Sequence, residues 1–340
     1  MAKTLVGLEI TEESVRAVEL TTGRSPSLIA AGEIPLPRAA AKDSEVIDSD
    51  AVALALRQLW ASAGIKGRRV TLGVGSRRIL VREYTTQALS PDLLREALPF
   101  QVQDLLPVPV AQAVLDFYPV AQEGDQVSGL LVAAVSETIE EMISTLGKAK
   151  LQVDAVDLVP FGLARVAKRV AAPDETVAMI HLGDHTSHVV VATNGIPHFV
   201  RIIPVDIATT AVRREDPAYA TPELELEAML ESVPPRPGGT RASLRSGTSQ
   251  PAVTDLAARL RSTLAFFSAR PAAPVISTVW VSGAGYAAAG VAETLDRSLD
   301  VPAQPVRLDQ LVRLGKGALP DELALNAVAT AGVLLGEGSR

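Results

Sequence analysis

The chain has 340 residues, a formal net charge of −7, 47% hydrophobic residues, 21% charged residues and only 4% aromatics. That length holds one large or two medium domains with aliphatic cores. The acidic balance, without RNP-type aromatic strands or zinc-finger spacings, argues against nucleic acid as a partner. The absence of cysteine excludes disulfides, thiolate metal sites and cysteine nucleophiles.

Glu9 arrives too early for a signal-peptide core, and no run reaches the roughly 18 apolar residues of a spanning helix. The expected location is cytoplasmic, with no direct membrane insertion and any membrane association made through a partner. In chain order, residues 4–20 read as a hairpin and 27–34 as a third strand, stopped by Pro35 and Pro37. A helix is predicted over 48–63, capped by Ser49 or Asp50. Strands follow at 69–73 and 79–84. The next helix starts at Ser90-Pro91-Asp92, with Pro99 expected to bend or interrupt it. Pro107 and Pro109 end that segment. Strands 114–120 and 129–135, helix 136–149 capped by Ser136, strand 153–158 and helix 161–170 complete the first half.

From Thr176 the plan repeats: a hairpin turning at 193–197, then strand 198–204 and helices at 207–214 and 222–230. Residues 232–250, crowded with Pro, Gly, Ser, Thr and Arg, read as a mobile surface loop. Helix 255–269 and strand 277–281 lead to Ser282-Gly-Ala-Gly285, a small-residue helix over 287–298 and a terminal helix over 320–335.

The repeat keeps one offset: Glu9 matches His181, Ser14 matches Thr186, Val18 matches Val190 and Gly23 matches Gly195. Two strand–polar turn–strand units half a chain apart imply two related halves facing a cleft, whose turns present backbone N–H groups to an anion. Gly183 lets the backbone approach such a ligand, and Thr186 can donate to it. Gly283 and Gly285 permit a base or ribose against the strand-to-helix turn, and equally suit a tight turn alone. His181, His185 and His188 have a spacing that binds metal on a helix, but the segment reads as strand and turn, so no metal ligands are assigned. No nucleophile elbow, HExxH pattern or acid pair appears, and no catalytic residue is assigned.

In order, the paired hairpins, the strand–Gly-Ala-Gly–helix element and the small-residue terminal helix resemble the phosphate-1, phosphate-2, adenosine and second connecting motifs of the actin-like ATPase superfamily. The segment Ala155–Ala164 resembles its first connecting helix. Within the superfamily the chain is most similar to the PilM family of type IV pilus assembly. The specific piece is Leu94-Arg-Glu-Ala-Leu-Pro-Phe-Gln-Val-Gln-Asp-Leu-Leu-Pro-Val-Pro109 followed by Val114-Leu-Asp-Phe-Tyr118. The resemblance spans nearly the whole chain outside 232–250.

It implies an α/β actin-like fold with halves at 1–170 and 171–340, and an FtsA-like subdomain inserted at about 42–150 of the first. It also implies ATP and Mg²⁺ in the cleft, with Glu9, Thr11, Ser14 and Arg16 facing phosphates from one side and His181, Gly183, Asp184 and Thr186 from the other. Gly283 and Gly285 would lie under the base or ribose. The implied partner is the cytoplasmic N-terminal peptide of a PilN-like inner-membrane protein, with the pilus motor ATPases as further partners. The superfamily favours Asp where Glu9 and His181 stand and Gly where Thr11 stands, and a neutral imidazole is a poor Mg²⁺ ligand. At most a weak ATPase is expected. The rivals are a nucleotide-free GspL-like scaffold of a secretion system, an actin-fold small-molecule kinase and an FtsA-like filament former.

Overall fold

The computed structural model describes residues 3–215, 250–315 and 319–336. The helix expected at 222–230 and nearly all of the 232–250 loop lie outside them. The first half runs β1 (Thr4–Ile10), β2 (Ser14–Thr21), β3 (Leu28–Pro35), a small hairpin β4 (Ala41–Lys42) and β5 (Glu45–Val46), then α1 (Ser49–Ala63) and β6 (Arg69–Val74). It continues with β7 (Leu80–Gln87), α2 (Pro91–Val102), β8 (Ala113–Glu123), β9 (Gln126–Val135), α3 (Ser136–Lys148), β10 (Gln152–Leu158) and α4 (Val159–Val170). The second half has β11 (Thr176–Leu182), β12 (Thr186–Thr193), β13 (Ile196–Pro204), α5 (Thr210–Glu215), α6 (Gln250–Ser268) and β14 (Thr278–Ser282). The last elements are α7 (Ala284–Ala287), α8 (Val291–Ser298), β15 (Ala303–Pro305), α9 (Leu308–Leu311) and α10 (Asp321–Gly332).

Two five-stranded sheets share one plan. The first has order β10-β6-β1-β2-β3 and the second β15-β14-β11-β12-β13. In each, the hairpin is antiparallel and the strand on its other side runs parallel to the first strand. The offset of 172 residues carries both ends of β1 onto both ends of β11, and likewise β2 onto β12. Buried apolar residues on these strands hold the register, because a one-residue slip would turn each apolar set to the wrong face.

Helices α4 and α10 pack between the sheets. Their backbones touch where Gly162 meets Gly332: a Cβ on Gly332 would sit 2.7 Å from the Gly162 carbonyl oxygen. Two glycines at this crossing let the helices approach more closely than any side chain permits. The surrounding core draws on both sheets, including Val18, Leu163, Met179, Val190 and Val328. A third sheet, β7-β9-β8, covered by α2, takes its strands from within the stretch expected as an insertion, whereas β6 from that same stretch lies in the first sheet.

Several local expectations change. The cap of α1 is Asp48, whose carboxylate accepts from the amides of Asp50 and Ala51. Helix α2 runs through Pro99, which removes one amide donor to the carbonyl of exposed Arg95. Ser136 is the first residue of α3 rather than its cap, and Val135 precedes it without a side-chain bond. The helix expected over 287–298 starts only at Val291: Ala288 is extended and ends the short α7, and Gly290, with φ 80°, turns the chain. The helix expected from Ile207 starts at Thr210, because the Ile207 amide donates to the Asp184 carbonyl and ties the preceding residues to the β11–β12 turn.

Candidate functional site between the two hairpins

The β1–β2 and β11–β12 turns face one another, and Glu9, Thr11, Arg16, His181, Gly183, Asp184 and Thr186 line the space between them. Ser14 adjoins this set, its hydroxyl 3.5 Å from an Arg16 guanidinium nitrogen. Gly283 and Gly285 do not face this space. A Cβ on Gly283 would meet the Leu182 carbonyl oxygen at 2.2 Å, and one on Gly285 would meet Ile207 at 2.7 Å.

Across the first hairpin Glu9 stands opposite Arg16, and across the second His181 stands opposite His188. Arg16 is buried and forms an ion pair with Glu33 at 3.2 Å, which sequence reasoning missed. Burial alone would lower the Arg16 pKa, but Glu33, Glu9 and Asp184 together raise it. Burial pushes Glu33 up, yet Arg16 and the hydrogen bonds from Ser14 and Asn326 hold it below the usual carboxylate range. Glu9 is raised by burial, against the opposing pull of Arg16 and the Thr330 hydroxyl, which donates to it. Asp184 is raised by burial while accepting from the Thr209 hydroxyl.

The histidines divide. His181 lies well below its ordinary value because of burial, Arg16 and His188, and its Nδ1 shares a 2.9 Å hydrogen bond with Ser282. Burial lowers His188 to about 4, and its Nε2 donates to the Gly75 carbonyl at 2.9 Å. His185 is the opposite case: raised to about 9 by its bond to Glu13 against burial, with Asp206 assisting. Its imidazolium donates to Glu13 and to Asp206, each at 2.7 Å, so it straps one hairpin turn to the other half.

Several donors that a phosphate would seek are engaged. The Ser14 amide donates to Thr11 Oγ1 at 3.1 Å, and the Ser14 hydroxyl donates to Glu33 at 2.7 Å. The Ala284 amide at the strand-to-helix turn donates to the Asn326 side chain. The Arg16 Nε is buried without a hydrogen-bond partner, beside a free volume of about 30 Å³. No cluster of three or more His, Asp or Glu suited to a metal ion occurs among the described residues. These residues do not fit a Mg²⁺-nucleotide.

Sequence reasoning also missed Glu13, Gly73, Gly75, Asn326 and Thr330, and named Ser282 only as the start of the Gly-Ala-Gly turn. Asn326 and Thr330 stand four apart within the buried run of α10, which is the signal that marks them. Glu33 is a lone acid in the apolar β3.

No curated protein matches the sequence. Among solved structures, the chain is similar to the "PilM-PilN type IV pilus biogenesis complex", with TM-score 0.79, 22% identity, and coverage of 99% of this chain and 98% of that one. It is also similar to the ethanolamine utilization protein EutJ from Carboxydothermus hydrogenoformans, at TM-score 0.54 and 14% identity, covering 98% and 90%. The cytoplasmic domain of EpsL, an inner-membrane component of the Vibrio cholerae type II secretion system, matches at TM-score 0.50 and 9% identity, covering 98% and 95%. The fold is actin-like. Residues 7–202 match the family described as type IV pilus assembly protein PilM, and the chain belongs to that family.

Proposed function

We propose that the protein is an actin-fold scaffold of type IV pilus assembly, with halves at 1–170 and 171–340, that grips the cytoplasmic N-terminal peptide of a PilN-like inner-membrane protein. Family membership carries this reading. The scaffold links that membrane protein to the cytoplasmic motor ATPases. No helix among the described residues is long and apolar enough to cross a membrane, so contact with the bilayer comes through the partner.

A place for the peptide lies beside the third sheet. Strands β8 and β10 each end a sheet, with no strand on their outer sides among the described residues. They approach one another where Tyr118 of β8 packs on Phe161 at the start of α4, with ring centres 5.0 Å apart. Asp157 on β10 is raised chiefly by burial, with Asp116 of β8 adding to the rise against Arg165. Val114 and Val156 are exposed on these two strands. An extended peptide takes main-chain hydrogen bonds from such an edge and side-chain contacts from its apolar residues.

The test is fluorescence anisotropy with a labelled N-terminal peptide of the PilN-like protein. Val156→Asp is expected to weaken capture by about tenfold or more while leaving the melting temperature nearly unchanged, as for other surface substitutions. Undiminished capture would remove these strands from the reading, and no capture by the unaltered chain would remove the partner.

A further inference from the structure

We infer that the cleft between the hairpins is a self-ligated junction, in which the Glu33 carboxylate holds the anion position on Arg16 and Ser14 and the halves stay joined without a Mg²⁺-nucleotide. This goes beyond the scaffold reading and does not depend on it. Three observations converge.

The Ser14 amide, the Ser14 hydroxyl and one guanidinium nitrogen of Arg16 are spent on the chain itself. Thr11 Oγ1 accepts from the Ser14 amide, while Glu33 Oε1 accepts from both the Ser14 hydroxyl and Arg16. An incoming phosphate would have to displace a buried carboxylate from a buried guanidinium, leaving that carboxylate buried without its counter-ion.

The charge is wrong for a polyphosphate. Glu9, Glu33 and Asp184 all act electrostatically on Arg16, so three carboxylates share one guanidinium. The acids are also already engaged within the chain: Glu9 accepts from Thr330, Glu33 pairs with Arg16, and Asp184 accepts from Thr209. His181, at the second copy of the Glu9 position, is held neutral and bonded to Ser282.

The enclosed room between the turns is also small. The free volume of about 30 Å³ beside Arg16 Nε admits a water or two. Leu182 and Ile207 occupy the room beside Gly283 and Gly285, so these glycines serve packing within the chain. The mouth is strapped by His185 between Glu13 and Asp206.

Calorimetry and thermal melting of the full chain with Mg-ATP and with Mg-ADP at millimolar concentration test the inference. The expected result is no saturable heat and no rise in melting temperature. One-site saturable binding accompanied by a rise in melting temperature would overturn it. Hydrogen exchange then tests the strap without nucleotide. His185→Ala is expected to speed amide exchange at residues 11–14 and 184–188 by about tenfold, because the bonds joining the turns are lost. Unchanged exchange there would refute the strap. Peptide capture, measured on the same samples, reports on the scaffold reading independently: its loss leaves this inference standing, and nucleotide binding leaves the scaffold standing.

Discussion

The two hairpins have the same backbone and opposite chemistry. In the first, the facing pair is Glu9 and Arg16; in the second, at the same register, it is His181 and His188. The neighbouring parallel strand adapts to each. Gly73 stands beside Glu9, where a Cβ would lie 3.1 Å from the Glu9 side chain, and Ser282 stands beside His181 and hydrogen-bonds it. A charged copy needs room and counter-ions; a neutral copy needs only one hydrogen-bond partner. One half therefore concentrates the electrostatic cost of the cleft, and the other insulates it.

Breaking the charged copy should have the largest effect. Arg16→Met leaves Glu9, Glu33 and Asp184 without the guanidinium that offsets their burial. Removing one partner of a buried ion network costs about 3–5 kcal/mol. Urea unfolding measures it, and adding Glu33→Gln to the variant should restore part of the loss by removing one stranded charge. A loss near zero for Arg16→Met would mean that the network is solvated and the contrast between the copies is superficial.

Next comes the strand-to-helix turn of the second half. Gly283 has φ 92° and ψ 157°, a conformation that essentially only glycine adopts, and its Cβ position coincides with the Leu182 carbonyl. Gly283→Ala should cost about 3 kcal/mol through backbone strain and overlap. The same measurement checks it. Neutrality at Gly283 would show that the turn has freedom to move and space for a ligand.

The parts of this architecture that sequence reasoning reached are those governed by periodicity. β1, β2, β11 and β12 are apolar strands at a constant offset, and tertiary packing keeps their ends where the pattern puts them. The cleft was legible for the same reason, since seven of the ten residues named for it line one space. What fills that space was not legible. A glycine in a sequence announces room for close approach without saying whether a ligand or Leu182 approaches it. Glu33, Asn326 and Thr330 come from β3 and α10, about 300 residues apart, and only the assembled sheets and helices bring them together. The α7–α8 break also escaped, because alanines at 287–289 favour a continuous helix, whereas Ala288 is extended and Gly290 adopts positive φ.

Within the neutral copy, the effect should be smaller. Ser282→Ala removes the partner of His181 Nδ1, and a buried ring nitrogen left without a hydrogen bond costs about 1–2 kcal/mol. Ser282→Gly makes this position match Gly73 of the first copy and should cost slightly more, through added backbone freedom in the unfolded chain. If either variant proves as damaging as Arg16→Met, the two copies share the electrostatic load and the contrast fails.

The histidines add a pair of pH windows with opposite signs. His188 titrates near 4 when folded and close to the ordinary value of 6.5 when unfolded, so the unfolded chain binds the extra proton between them. Its contribution is complete above 6.5 and lost as pH falls through 4. His185 titrates near 9 when folded, so its contribution is complete below 6.5 and lost as pH rises through 9. Together they place a stability maximum near 6.5; at lower pH Glu33, held low by Arg16, adds to the loss, while Glu9 and Asp184, raised by burial, oppose it. His185→Gln should flatten the alkaline side alone, and His188→Gln should soften the acid side alone while lowering stability at every pH through the lost bond to Gly75. Melting temperatures across pH 4–9 for the three proteins decide this. If His185→Gln leaves the alkaline slope unchanged, the strap across the hairpins does not carry a proton.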